Sequence, residues 1–160
     1  MLATLLPGAA HVQNIHPLLV HFPLAFLLGA ALFYIVIWPM GLDAWAWVAL
    51  TLLLLGTASA VAAAATGLRA ETGVMIAPSV HDALLEPHKW LMLTTCGIAS
   101  LLSAWALLVP PFPRRGRRLF IVLLLVMVAV MARGADYGSR MVYDYNAGGN
   151  ACPQPIEFGQ

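Results

Sequence analysis

Residues 44–68 read AWAWVALTLLLLGTASAVAAAATGL and contain no charged side chain. This stretch is longer than the ~20 residues that an α-helix needs to cross the ~30 Å hydrocarbon core of a membrane. Its second half is rich in glycine, alanine, serine and threonine, the small residues that allow helices to pack closely in lipid. The segment therefore predicts a transmembrane helix with closely packed helical neighbours.

Three further apolar stretches flank this segment. The four predicted spans are residues 16–38, 44–68, 87–109 and 118–143. Short turns join the first span to the second and the third to the fourth, whereas a longer polar stretch, residues 69–86, joins the second to the third. Short connections give antiparallel neighbours in an up-down bundle. We therefore predict an all-α membrane protein whose up-down bundle of four transmembrane helices forms one domain, residues 1–143, followed by a tail, residues 144–160.

The composition agrees with a membrane location. The chain is 61% hydrophobic and 9% charged, whereas soluble domains carry about 25% charged residues. A formal net charge of +1 without a basic stripe argues against nucleic acid as a partner. Two cysteines are too few for a disulfide framework, and there is no CxxCH motif for covalent haem attachment. The surplus of apolar surface predicts contact with a lipid bilayer.

The basic residues predict how the bundle is oriented. Four arginines cluster in the turn between the third and fourth spans: Arg114, Arg115, Arg117 and Arg118. Cytoplasmic loops of membrane proteins carry an excess of lysine and arginine, so this turn is predicted to be cytoplasmic. The N-terminus, the middle loop and the C-terminal tail then lie on the periplasmic side.

All five histidines fall at the predicted periplasmic end: His11, His16, His21, His81 and His88. His16 and His81 are the shallower members of their spans, and His21 and His88 are the deeper ones. On a regular helix, His16 and His21 lie about 140° apart around the axis, so they are poorly placed to bind one ion together. We therefore expect pairs across helices, His21 with His88 and His16 with His81.

Paired histidines at one end of a bundle indicate two kinds of cofactor. Imidazole is the commonest side-chain metal ligand and a frequent axial ligand of haem iron. Two histidines from facing helices would hold one b-type haem without covalent attachment. The same four side chains, His16, His21, His81 and His88, could instead bind a transition metal such as zinc or copper. A third interpretation is that they line a wet membrane interface and bind no cofactor.

The fourth span carries charged residues close to the same end. Its uncharged run, residues 119–132, covers only about 21 Å and is followed by Arg133, Asp136 and Arg140. Ionisable groups at this depth usually face the bundle interior or a polar cavity. The two arginines are therefore candidates to bind haem propionates or a quinone head group, and Asp136 is a candidate proton carrier. The alternative is a snorkelling arginine and a surface ion pair between Asp136 and Arg140.

Three segments resemble a bacterial family of predicted four-span membrane proteins of unknown function. The most specific is HPLLVHFPLA at residues 16–25, and the others are ATGL at residues 65–68 and GSRMVY at residues 138–143. The last segment resembles a Gly-Gly-x-Leu-Val-Tyr signature of the family, with Ser139 in place of its second glycine and Met141 in place of its leucine.

The resemblance extends from about residue 14 to residue 143. It implies that a histidine of the middle loop, His88 or His81, corresponds to a family position. Members of the family are often fused to Rieske-type or c-type cytochrome domains. This implies a role in electron transfer at the bacterial inner membrane, with a separate redox subunit as partner, and residues 144–160 are a candidate docking segment for it.

The leading hypothesis is therefore a membrane electron-transfer subunit that binds b-type haem and passes electrons between the quinone pool and a periplasmic redox partner. The alternatives are a structural accessory subunit of a respiratory or photosynthetic complex, and a non-haem metal or proton-relay module. The short chain has no evident transporter repeat, and no Ser/His/Asp, phosphate-loop or HExxH motif is present. The sequence favours an electron-transfer or accessory subunit over a stand-alone enzyme.

Overall fold

The computed structural model describes residues 15–41, 43–73, 76–111, 113 and 115–147, with the side chains of residues 37–39 and 43 left out. His11, Arg114 and the predicted tail beyond residue 147 lie outside the described residues. Within the described ranges the chain is helical apart from its connecting segments, and none of these residues is in a strand.

The helices, in chain order, are His16–Leu19, His21–Met40, Ala46–Glu71, Pro78–Val80, Glu86–Leu108 and Arg117–Tyr145, with a 3₁₀ turn at Asp43–Trp45 and a π-helical turn at His81–Leu85. Four helical stretches are long and apolar enough to cross a membrane: span 1 (His16–Val36), span 2 (Ala46–Glu71), span 3 (Pro78–Leu108) and span 4 (Arg117–Tyr145). The predicted fold class, an all-α protein with four membrane-spanning helices, is confirmed. The orientation of the termini stays a prediction.

Span 3 begins at Pro78, nine residues before the predicted start of the span at residue 87. The π-helical turn at His81–Leu85 leads directly into the helix that starts at Glu86. Proline has no amide hydrogen to donate, so Pro87 is tolerated in the first turn of that helix. Because the helical path is continuous, His81 and Glu86 lie at the end of the bundle and not in a separate loop.

The four spans form a closed ring of neighbours. Span 1 packs most extensively on span 2 and span 3 on span 4, while span 2 also contacts span 3 and span 1 also contacts span 4. Spans 1 and 3 therefore stand at diagonal corners, as do spans 2 and 4. The largest fully buried side chains in the described core include Tyr34, Phe120, Leu27, Leu53 and Leu102. Many large apolar side chains point outward instead, as expected for a surface covered by lipid.

Small and hydroxyl residues bring span 2 close to its neighbours. A Cβ atom at Gly56 would lie 2.6 Å from Leu27 Cδ2 of span 1, so the missing side chain is what allows this close approach. On the other side, Thr57 Oγ1 and Ser103 Oγ are 2.8 Å apart and join span 2 to span 3. Both observations agree with the close packing that the small residues of span 2 predict.

Two glycines with positive φ stand in the two short turns. Gly41 has a φ of 64° and Gly116 a φ of 80°, a conformation that residues with a Cβ atom adopt only at a steric cost. A Cβ at Gly116 would also lie 2.8 Å from Trp105 Cζ2. Tyr34 lies at the same end and donates a hydrogen bond to the carbonyl oxygen of Pro111 over 3.1 Å. These contacts hold the end of the bundle opposite the histidines.

Candidate functional site

The starts of spans 1 and 3 and the ends of spans 2 and 4 form what we call the histidine end of the bundle. His16 is the first residue of span 1 and is half-buried. Its Nδ1 atom lies 3.0 Å from the carbonyl oxygen of Ala63 and 3.3 Å from Thr66 Oγ1, both on span 2. A carbonyl oxygen can only accept a hydrogen bond, so Nδ1 donates. In the neutral imidazole the lone pair is then on Nε2.

His88 makes the equivalent contact in the second half of the chain. It lies in span 3 and is half-buried, and its Nδ1 atom is 2.8 Å from the carbonyl oxygen of Gly134 on span 4. The acceptor is again a backbone carbonyl, so Nδ1 is the donor here too. The neutral ring of His88 therefore also carries its lone pair on Nε2.

Each histidine ring also lies against a glycine one helical turn beyond the carbonyl that it contacts. A Cβ atom at Gly67 would be 2.8 Å from His16 Cε1, and one at Gly138 would be 2.9 Å from His88 Cε1. Residues i and i+4 share one face of a helix, so the carbonyl and the glycine hold the ring together. We call Ala63 with Gly67 the first histidine seat, and Gly134 with Gly138 the second histidine seat.

The two helical hairpins thus repeat one arrangement. The contact from His16 to its carbonyl spans 47 residues, and that from His88 spans 46 residues. Because spans 1 and 3 occupy diagonal corners, the two histidines approach this end of the bundle from opposite sides. The structure therefore gives His16 and His88 the same hydrogen-bond orientation.

The other two candidate histidines have different surroundings. His21 is exposed on the surface of the bundle. His81 lies in the π-helical turn, with Nδ1 3.1 Å from Asp82 Oδ1 and Nε2 3.9 Å from Glu71 Oε1. The expected cross-helix pairs were His21 with His88 and His16 with His81. These pairs stay predictions, and the contacts that the structure gives to His16 and His88 are to span 2 and to span 4.

The charged residues of span 4 form local pairs on its exposed side. Arg133 donates to Asp136 Oδ2 over 3.0 Å and to the Tyr137 hydroxyl over 3.3 Å. Its guanidinium also lies 4.7 Å from the centroid of the Tyr137 ring. Arg140 Nε is 3.7 Å from Asp144 Oδ2. Asp136 therefore pairs with Arg133 and not with Arg140, and both arginines are exposed.

A second cluster of charged residues lies beside His81. Lys89 Nζ donates to Glu71 Oε1 over 2.8 Å and also to Glu86 Oε1, which joins the end of span 2 to span 3. One oxygen or nitrogen atom from each of Glu71, His81 and Glu86 lies within 4.8 Å of the others. The sequence analysis assigned no role to the two glutamates or to the lysine. The i, i+3 spacing of Glu86 and Lys89 in the sequence could have indicated the ion pair between them.

A small surface groove opens next to the first histidine seat. It has a volume of about 230 Å³ and is lined by Ile15, Thr66, Arg69 and Ala70. Thr66 also lies against His16, so the groove adjoins the hydrogen-bonded side of that imidazole. Arg69 supplies a positive charge there. The groove is therefore a candidate place for an anionic group next to His16.

The sequence analysis also did not identify the two seats. Their members are a backbone carbonyl and a glycine, and neither carries side-chain chemistry that a motif search detects. The small-xxx-small spacing was the available signal, since it occurs at Ala63 with Gly67 and at Gly134 with Gly138. Gly67 lies in the ATGL segment and Gly138 in the GSRMVY segment, while His16 opens the HPLLVHFPLA segment. The HPLLVHFPLA and ATGL segments thus meet at the first seat, whereas the GSRMVY segment contributes Gly138 to the second.

Residues 12–151 match the model of a family described as predicted membrane protein, DUF2231. The matched range contains all four spans, both seats and the two histidines that they hold. No curated protein and no solved structure matches the chain at a significant level.

Proposed function

We propose that this chain, which belongs to the DUF2231 family of predicted membrane proteins, is an electron-transfer subunit that binds one b-type haem between His16 and His88. The observation that carries the proposal is the repeated hydrogen bond from histidine Nδ1 to a backbone carbonyl, at Ala63 and at Gly134. A bound haem would supply a reversible one-electron carrier at this end of the bundle.

The hydrogen bond prepares each histidine for metal ligation. Histidines that bind metals almost always donate their other ring hydrogen to a carbonyl, a carboxylate or water, which fixes the tautomer and raises the basicity of the ligating nitrogen. In His16 and His88 that donor is Nδ1, so Nε2 is the ligating atom. Two such nitrogens, from His16 and His88, would hold the iron of a non-covalently bound haem.

The seats restrict how the two rings can move. Each imidazole is held between a carbonyl that accepts its proton and a glycine that leaves no side chain to displace it. Rings held in this way would keep their position when a bound haem changed its oxidation state, which would lower the reorganisation that accompanies electron transfer. Arg69, in the groove beside His16, is the basic residue best placed to pair with a propionate. Arg133 and Arg140 are the further candidates.

The proposed place of the subunit follows from its orientation. The histidine end is predicted to be periplasmic, so the haem would exchange electrons with a periplasmic partner of the Rieske or c-type cytochrome class. The quinone pool in the bilayer would be the second redox partner of the haem, either giving electrons to it or taking electrons from it. The exposed ion pairs of span 4, Arg133 with Asp136 and Arg140 with Asp144, offer polar groups for docking such a subunit.

Haem stoichiometry tests the proposal. The full chain is expressed with a haem precursor, purified in detergent, and its haem is counted by pyridine haemochrome and by a reduced-minus-oxidised spectrum. We expect about one b-type haem per chain, strongly reduced in His16→Ala and in His88→Ala. His21→Ala and His81→Ala are the matched controls and should retain haem.

Three results would contradict the proposal. The first is a folded, helical wild-type protein without haem after expression with the precursor. The second is haem that is retained with unchanged content and spectrum in both His16→Ala and His88→Ala. In the third, elemental analysis finds a stoichiometric transition metal that depends on His16 and His88 while haem is absent, which would replace haem with a non-haem centre. If neither haem nor metal is bound, the chain is a structural accessory subunit.

A further inference from the structure

We propose that Glu71, His81 and Glu86 form a site for one divalent transition-metal ion, which the ion enters by displacing the ammonium group of Lys89. The three side chains come from the end of span 2, the π-helical turn and the following helix of span 3. Their ligand atoms lie within 4.8 Å of one another. Ligands around one tetrahedral zinc ion at about 2.0–2.2 Å lie about 3.3–3.6 Å apart, so the three side chains must move together by up to about 1.5 Å to bind an ion.

The orientation of His81 supports a ligand role. Its Nδ1 atom is 3.1 Å from Asp82 Oδ1, and a carboxylate oxygen can only accept, so Nδ1 donates. Metal-bound histidines commonly donate a hydrogen bond of this kind, from the ring nitrogen that does not bind the metal to a carboxylate. The neutral ring then carries its lone pair on Nε2, which lies 3.9 Å from Glu71 Oε1. That distance is too long for a hydrogen bond and suits two ligands of a shared cation.

Lys89 is the cation that now lies between the carboxylates. Its ammonium group bonds to both Glu71 and Glu86, and its side chain is only 20% exposed. A divalent ion brings twice the charge to the same two oxygens and adds a bond to His81. The long, flexible stem of lysine allows the ammonium group to move out towards solvent. The metal ion and the Lys89 ammonium group therefore compete for the same position between the two carboxylates.

The donor set indicates the class of ion. One imidazole and two carboxylates suit zinc, manganese, iron(II) or cobalt(II), and the single nitrogen and absence of sulfur among the three ligands disfavour copper(I). The site shares no residue with His16, His88 or the two histidine seats. A π-helical turn inside a helix is frequently found at functional sites, and here it carries the histidine ligand.

The competition predicts opposite effects of two kinds of substitution. Cobalt(II) is titrated into the tag-free, detergent-purified full chain and followed by its visible absorption, with zinc added to displace it. We expect saturable binding of one ion by the wild-type chain. Lys89→Met should strengthen binding by about tenfold or more, because the competing charge is removed. His81→Ala and Glu86→Gln should abolish the saturable signal, and Asp82→Asn should weaken binding about tenfold or more.

The controls separate this site from other metal binding. His21→Ala removes an exposed histidine at the same end and should bind cobalt as the wild type does. If Lys89→Met does not fold, Lys89→Gln removes the charge and keeps a polar partner for the carboxylates. The proposal is overturned if saturable binding persists in His81→Ala. It is also overturned if a folded Lys89 variant binds no better than the wild type, which would identify the cluster as a structural ion-pair network.

Discussion

His16 and His88 hold equivalent positions in the two helical hairpins, since each donates from Nδ1 to a backbone carbonyl of the following span. The carbonyl lies 47 residues after His16 and 46 residues after His88, so nearly the same chain length separates the partners in both halves. A glycine follows four residues after each carbonyl. This repeat, and not the number of histidines, is what identifies His16 and His88 as a pair.

The first prediction concerns the glycines of the two seats. Gly67→Ala and Gly138→Ala place a methyl group within 3 Å of the imidazole ring, so we expect the ring to be displaced and haem content to fall. Overpacking of this kind costs about 1–3 kcal/mol, which offsets the gain of up to about 1 kcal/mol from replacing glycine by alanine in a helix. Haem-to-protein ratio and thermal unfolding by circular dichroism measure the two effects.

Gly97→Ala is the control for these variants. Gly97 lies in span 3, is exposed, and has no atom within 4 Å of the position that its Cβ would occupy. The same substitution should therefore leave haem content unchanged and leave stability equal or slightly higher. Seat variants that behave like Gly97→Ala would show that the close contact with the glycines has no part in holding the histidines.

A second prediction distinguishes the two seats from each other. His16 has Thr66 Oγ1 as an additional neighbour of Nδ1 at 3.3 Å, whereas the contact of His88 in the second seat is to Gly134 O. Thr66→Val removes the hydroxyl and keeps the side-chain volume, while the Ala63 carbonyl remains. We expect haem affinity to fall by less than about tenfold and Thr66→Ser to restore it. A complete loss of haem in a folded Thr66→Val protein would mean that the hydroxyl, and not the carbonyl, orients His16.

A third prediction concerns the opposite end of the bundle. Tyr34→Phe removes the hydroxyl that donates to the carbonyl oxygen of Pro111 and keeps the edge-on contact with Phe120. The loss should destabilise the folded protein by about 0.5–1.5 kcal/mol without changing haem content, because the histidines lie at the other end. Tyr143→Phe, at a side chain that is 85% exposed, should have no effect on stability. Haem loss in Tyr34→Phe would indicate that the two ends are coupled.

A fourth prediction concerns the orientation in the membrane. In a chain without native cysteines, Ser79→Cys marks the histidine end and Arg115→Cys marks the turn before span 4, and both positions are exposed. The positive-inside rule predicts that an impermeant maleimide labels the first variant in intact spheroplasts and the second only after the membrane is opened. The reverse pattern would place the histidine end in the cytoplasm and would exclude a periplasmic redox partner.

The fold could be predicted from the sequence because lipid imposes a strong length and composition rule on each span. The bounds of span 3 differed, since Pro87 suggested a helix start and the helical path in fact begins at Pro78 through a π-helical turn. A π-helical turn has no recognisable sequence pattern. Pro87 therefore correctly indicated an interruption of the helix, but it did not mark the residue at which span 3 begins.

The contacts of His16 and His88 could not be predicted, although their place at one end of the bundle could. Depth along a span follows from residue number, whereas pairing depends on the face that each helix turns towards its neighbours. The partners of His16 and His88 are backbone carbonyls, which every residue possesses, so the residue types do not mark them. The cluster around Lys89 was missed for a related reason, because Glu71 lies on another span and becomes its partner only through packing.

The most direct test of the central claim is whether His16 and His88 together complete the coordination of one haem iron. Carbon monoxide is added to the reduced, detergent-purified wild-type protein and to His16→Ala and His88→Ala. A haem held by both histidines has no open position, so the wild-type spectrum should not change, while each variant that retains haem should bind carbon monoxide. Binding of carbon monoxide by the wild type, or unchanged haem spectra in both variants, would contradict the pairing.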